Sequence, residues 1–208
     1  VERERGRIAR DLHDNLGADL THLALLSDLA RIDASHPVKA AENFDLIFDL
    51  AQVLTRKVDE IVWAVNPAND SLRGFVPFLI SHTQNYLRAA GISCRMAIPE
   101  ALPEHPLTST QRHHLFLVVK ETLHNVVKHA DASEVWLRIR TDAGALHIEI
   151  EDNGRGSNPI PETGDGVLNM KKRLAELGGH IAWESAERKG TRVLLRLPLP
   201  ASPKHSAD

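Results

Sequence analysis

The 208 residues carry 25 Lys and Arg against 28 Asp and Glu, a formal net charge of −3, so no general affinity for nucleic acid is indicated. The single cysteine, Cys94, excludes an internal disulfide and a cysteine metal cluster. No apolar run approaches the roughly eighteen residues that a membrane span needs, and the length admits one or two domains with a sizeable core.

The chain opens with a charged, periodic stretch over residues 2–32. Ile8, Leu12, Leu16, Leu20, Leu23 and Leu26 recur every three to four residues, while Glu2, Arg5 and Arg10 fall on the other side. That pattern predicts an amphipathic helix. His13 borders its stripe, where a histidine is ordinarily just a solvated side chain. After a break at Asp33–Pro37, a second periodic run extends from Val38 to Val65. Two long helices with a short connection predict an αα-hairpin. One hairpin is too thin to bury both apolar faces, so pairing into a four-helix bundle, and hence a homodimer, is expected. Trp63, just before the end of the second run, has two readings: simple packing in the bundle, or an anchor for the following domain.

Pro67 lacks an N–H and biases Asn66 away from helix, so the hairpin should end there. Residues 1–66 are therefore read as the first domain and 67–71 as a linker. Ser71 is placed to cap a third helix, with Phe75, Phe78, Leu79 and Leu87 on its buried side. Gly91–Ile98 reads as a strand with Cys94 in the core. The stretch from Leu115 to Ala130 is helical in period. It places Glu121, Asn125 and Lys128 on one side. An Asn amide oxygen suits a hard cation such as magnesium, and a Lys suits phosphate. The twelve histidines form no good metal set, since His124 and His129 are five apart.

Leu146, Ile148 and Ile150 alternate as a half-buried strand that ends in Asp152-Asn153-Gly154-Arg155-Gly156. The Asp152 carboxylate could accept from an exocyclic amine such as that of adenine. Asp-Asn-Gly is also hairpin chemistry, and both readings stand on these residues alone. Further on, Gly164-Asp165-Gly166 opens a helical stretch, a seat for phosphate. Lys189-Gly190-Thr191 then precedes a last strand, Arg192 to Leu197.

Taken in order, Glu121/Asn125/Lys128/His129, Asp152-x-Gly154-x-Gly156, Gly164-x-Gly166 and Gly190-Thr191 resemble the ATP-binding boxes of the GHKL superfamily of gyrase, a heat-shock chaperone, histidine kinases and mismatch-repair ATPases. The likeness covers roughly residues 72–199. It implies a Bergerat-type α/β sandwich with a mixed sheet after the helical hairpin, an α+β fold overall. It also implies that Asp152 contacts the adenine amine, that Asn125 coordinates magnesium, and that Glu121 supports the magnesium site or a water. Lys128 and His129 would lie near the phosphates, residues 154–166 would form a mobile lid, and Leu168, Gly190 and Thr191 would complete the nucleotide contacts. Arg7 to Gly17 resembles the phosphoacceptor motif of nitrate-sensor-like bacterial histidine kinases, in which Asp follows the acceptor histidine. His13 is then the acceptor and Asp14 the group beside it.

This resemblance implies ATP-dependent autophosphorylation of His13 and transfer to a receiver-domain aspartate, in a response regulator with a LuxR/NarL-type helix-turn-helix output. It implies ATP and magnesium as cofactors, a cytoplasmic location for this part of a longer sensor, and no direct contact with nucleic acid or membrane. Many kinases of the class carry Gln four residues after the Asp, where it is thought to orient a hydrolytic water. Here that position is Ala18, and the position four after His13 is Gly17. Asp19 points about 100° further round an ideal helix. Weak or absent phosphatase activity is therefore expected. A non-catalytic ATP-binding scaffold and an ATPase or anti-sigma-type serine kinase are the alternative functions, and neither needs His13. The polar tail, residues 200–208, is expected to be disordered.

Overall fold

The computed structural model describes the backbone of residues 2–142, 144–157 and 164–199. Side chains are described from residue 16 onward within those ranges, except at 34, 37, 56, 59, 61, 64, 65 and 67. The expected lid tip and the tail lie outside the described residues. The chain divides into two compact units, Val1–Pro67 and Ala68–Asp208.

The first unit is two helices, α1 (Glu2–Ile32) and α2 (Pro37–Val65), joined by a 3-10 turn at Asp33–Ser35. Pro37 sits at the first position of α2, where its missing N–H costs nothing. The helices run antiparallel. Asn43 donates to Asp33 at 3.2 Å beside the turn, and Lys57 pairs with Asp19 further down. Among the described residues, Leu26, Ala30 and Leu54 are the buried apolar side chains of this unit. Leu20, expected in the same stripe, is 55% exposed. Phe44 and Phe48 on α2 are exposed by 62% and 63%, and Leu25, Leu29 and Leu46 are also open. The hairpin thus leaves much of its apolar surface uncovered.

The second unit begins with a 3-10 turn, Pro67–Asn69, that crosses the unit boundary, and continues through α3 (Leu72–Ala89), β1 (Ser93–Ala97) and α4 (Ser109–Asn125). Next come a π-helical turn (Val126–Ala130), β2 (Glu134–Asp142), β3 (Ala145–Asp152), α5 (Asp165–Glu176), β4 (His180–Ser185) and β5 (Thr191–Pro198). The Ser71 hydroxyl accepts from Gly74 N at 3.1 Å and caps α3. Phe75, Leu79 and Leu87 of α3 are buried, and Phe78 is half-buried. A reciprocal pair between Thr108 and Gln111 starts α4.

The five strands order as β1-β2-β3-β5-β4, with β1 and β2 parallel and the other pairs antiparallel. The sheet is mixed, as expected. Alternation decides its two faces. Val135, Leu137 and Ile139, Leu146, Ile148 and Ile150, and Val193, Leu195 and Leu197 are buried on one side, beneath α3, α4 and α5. The other side carries a cross-strand lattice in which Arg138 pairs with Glu149 and Glu151, and Arg192 with Glu151 at 3.2 Å and Glu184 at 3.3 Å. Within this unit, among the described residues, charge pairs rather than a second helical layer finish that face.

One expectation is corrected. The stretch from Leu115 to Ala130 is not a single α-helix. The α-helix stops at Asn125, and the chain completes one wider π turn before β2. Asp131 leaves that turn in the left-handed region, φ 54°. The extra residue per turn re-aims Lys128 and His129, which is a frequent use of π turns at functional sites. A second difference concerns the linker. Asp70 is built into the second unit: Leu107 N donates to Asp70 O at 3.2 Å, and the Asp70 carboxylate pairs with the wholly buried Arg112.

Candidate functional site

A cavity of about 540 Å³ opens between α4, the π turn, the start of α5 and the ends of β3, β4 and β5. From α4 come Glu121, Thr122, His124 and Asn125, and from the π turn Val126, Lys128, His129 and Ala130. Three of these, Glu121, His124 and Asn125, are spaced by three and four, so one helix face points them together.

Asp152 ends β3 at the opposite wall and is 4% exposed. Its carboxylate accepts from Gly154 N at 2.8 Å and from the backbone N–H of Thr191. Burial raises the Asp152 carboxyl above its usual range, and the Glu151 charge adds to this, while the two backbone donors act against them. With those donors in place the carboxylate is held in one orientation, and its free lone pairs can take a further donor from a ligand. Asn153 removes the hairpin reading of Asp-Asn-Gly. Its side-chain oxygen accepts from Ser133 N and Glu134 N, both at 3.0 Å, which ties the loop to the start of β2. The motif makes no hairpin, since β3 pairs with β5.

The glycines do different jobs. A Cβ on Gly154 would stand 2.2 Å from the Ala130 carbonyl oxygen, and one on Gly190, at φ +74°, would stand 1.8 Å from the Asp152 carbonyl. Both let strand ends and turns close up behind the cavity rather than line it. Gly156, Gly164, Gly166 and Thr191 do line it. The Glu121 carboxylate lies against Gly166 at the first turn of α5, so close that a Cβ there would sit 2.2 Å from its Oε1.

Two family models match this chain: "Histidine kinase" over residues 4–70 and "Histidine kinase-, DNA gyrase B-, and HSP90-like ATPase" over residues 110–201. The sensor histidine kinase LnrJ of Bacillus subtilis is 31% identical over 199 residues, 91% of this chain and 46% of LnrJ. The signal transduction histidine-protein kinase/phosphatase UhpB of Salmonella typhimurium is 29% identical over 202 residues, 95% of this chain and 39% of UhpB. The chain spans about half the length of such curated relatives, or somewhat less. Among solved structures, the histidine kinase domain of the blue-light activated histidine kinase from Erythrobacter litoralis superposes with a TM-score of 0.58 at 20% identity, covering 92% of this chain and 94% of that one. The chain belongs to the sensor histidine kinases.

Of the residues that its sequence singles out, this kinase brings Glu121, Asn125, Lys128, His129, Asp152, Gly156, Gly164, Gly166 and Thr191 to one cavity. Leu168 is not among the lining residues and is 51% exposed. The buried face of α5 is set by Met170 and Leu174, and a residue two before Met170 points about 200° away from it. Val167 lines the cavity instead. His13 and Asp14 lie within α1, with side chains outside the described residues.

Sequence reasoning passed over His124, Trp183 and Val193 as site residues, all of which line the cavity, while Arg155 and Ser157, placed only in the lid, line it too. His124 was readable from its spacing to Glu121. Its Nδ1 lies 3.3 Å from the Tyr86 hydroxyl on α3. Burial raises the Tyr86 phenol above its ordinary range, as does the Glu121 charge, so it stays protonated.

Proposed function

We propose that this chain is the catalytic core of a two-component sensor kinase, which moves the γ-phosphoryl group of ATP onto a ring nitrogen of His13. The observation that carries this reading is the convergence of Glu121, Asn125, Lys128 and His129 with Asp152 and Thr191 in one cavity of the ATPase-like unit. The bond between the γ-phosphorus and the β,γ-bridging oxygen breaks, ADP leaves, and a nitrogen–phosphorus bond forms. Phosphoryl transfer asks a protein chiefly for positioning and charge. Asp152 orients the base through the exocyclic amine. Lys128 and the backbone amides that open α5 offset the phosphate charge, with His129 near the phosphates. The Asp14 carboxylate accepts a hydrogen bond from the N–H of the other ring nitrogen, which fixes the tautomer and favours the imidazolium that develops on His13.

The donor set fits magnesium. Asn125 offers an oxygen, with Glu121 beside it, and a hard cation prefers oxygen ligands. Among the described residues no group of three or more His, Cys, Asp or Glu side chains could hold a metal ion, so Asn125 would hold magnesium together with the ATP phosphates. Magnesium when bound neutralises phosphate charge.

The phosphohistidine then passes its group to a receiver-domain aspartate, in a regulator with a LuxR/NarL-type helix-turn-helix output. The open apolar surface of the hairpin supports a homodimer. Among the described residues no helix is long and apolar enough to cross a membrane, and we place this part of the protein in the cytoplasm. Ala18 and Gly17 offer no side chain to hold a hydrolytic water, so phosphatase activity is weak or absent. The test is labelled ATP with wild type and His13→Gln. The wild type takes up acid-labile, base-stable label, and the variant takes up none while binding ATP as before. Label on the variant would sink the assignment.

A further inference from the structure

We propose that Trp183 contacts the nucleobase in the nucleotide cavity and adds to nucleotide affinity, an inference that rests on the adenine-nucleotide reading above. It lines the same cavity as Asp152, yet no box of the sequence points to it. The sheet register gives its place. Ile150 stands beside Val193, and Val193 beside Trp183. Two residues further along, on the same inward face, come Asp152 on β3, Thr191 on β5 and Ser185 on β4, with Thr191 beside Ser185. Thr191 donates its backbone N–H to the Asp152 carboxylate.

Two residues of antiparallel strand span about 7 Å, and two strand spacings about 10 Å. Trp183 therefore sits about one bicyclic ring away from Asp152 along the sheet and two strands over, with Thr191 and Val193 as the floor between them. Asp152 supplies the polar end of that floor, and Val193 and the indole the apolar end. A flat base fixed by its amine at Asp152 must lay its ring toward Val193 and Trp183. The indole is also held on its other flank. The Lys171 ammonium of α5 lies 5.5 Å from its ring centroid, within cation–π range. The side chain is half-buried, so part of its ring remains open to the cavity. Aromatic contact with a base is worth enough to change affinity about tenfold.

The test uses the whole chain. In a Trp63→Phe, Trp136→Phe background, Trp183 is the only fluorophore of its kind. Its emission should change on adding ADP and stay constant with tripolyphosphate, which has the charge but no base. By calorimetry, Trp183→Val should weaken ADP about tenfold and leave tripolyphosphate within about twofold. Trp183→Phe, which keeps a ring, should recover most of the loss. Unchanged emission with ADP demonstrably bound overturns the proposal, as does a Val variant that loses ADP and tripolyphosphate equally. If the Val variant fails to fold, the emission experiment decides alone, since it keeps Trp183. Wild type that binds tripolyphosphate but no ADP removes the adenine reading itself, a result distinct from bound ADP that leaves the indole silent.

Discussion

The two units of this chain solve the burial problem in opposite ways. The ATPase-like unit closes over its own core: β2, β3 and β5 each turn three or more side chains inward under three helices, and charge pairs finish the outer face. Among its described residues the hairpin buries the apolar side chains of Leu26, Ala30 and Leu54 and leaves both phenylalanines of α2 open. A sheet with a helical layer is a complete object, whereas two antiparallel helices are half of one. The proposed nucleotide site belongs to the complete unit, and His13, the proposed acceptor, to the hairpin.

The sharpest way to break that contrast is to charge the open face. Phe44→Glu with Phe48→Glu should convert a dimer to a monomer at micromolar concentration, because each buried Phe contributes roughly 1.5–3 kcal/mol per chain. ADP affinity should stay within about twofold. Analytical ultracentrifugation and calorimetry on the same sample check both halves, and a dimer that survives both charges would mean that this face is not the interface.

A smaller effect probes the other unit. Asp152→Asn replaces an acceptor pair by one acceptor and one donor, and should weaken ADP about ten- to a hundredfold with the oligomeric state unchanged. Equal ADP affinity in the variant would contradict the role of this carboxylate.

Next comes His82, which packs among Phe78, Tyr86 and Phe116, its ring centroid 4.8 Å from that of Phe116. Burial, with Lys120 nearby, lowers its pKa from 6.5 to about 4. The folded state therefore holds His82 neutral while the unfolded chain takes up a proton below pH 6.5. Its contribution is fully present above that value and is lost as pH falls toward 4, amounting to about 2 kcal/mol by pH 5. Urea unfolding at pH 7 and pH 5 should show this extra loss in wild type and not in His82→Phe. The loss should fall on the ATPase-like unit, where His82 lies.

The smallest expected effect is none at all. Purified phosphorylated regulator should decay at its own rate whether or not this protein, magnesium and ADP are present, given Ala18 and Gly17. A large acceleration would show that another side chain holds the water.

Much of this was readable in the chain. Local chemistry announced the Ser71 cap, the glycine-opened α5 and the alternation of β3, because each depends on neighbours a few residues away. The π turn was not readable. Its sequence continues the helical period, and only the tertiary path from α4 into β2 selects the wider turn. Trp183 shares its inward face with Ile181, which alternation shows, but that this face meets Asp152 depends on β5 lying between β3 and β4. Leu168 went the other way. A family role pointed inward, and the helical phase of α5 turns it out.

The pairing of Asp70 with Arg112 has a practical consequence for dividing the protein. Arg112 is fully enclosed at the start of α4, and this carboxylate reaches it from ahead of α3. A fragment cut at Leu72, where helical periodicity would put the domain edge, discards a carboxylate that this buried guanidinium pairs with. It also removes the carbonyl of Asp70 that Leu107 N uses and the hydroxyl of Ser71 that caps α3. The intact ATPase-like unit therefore starts before Asp70, and residues that look like a tether are the first fastening of the fold they precede.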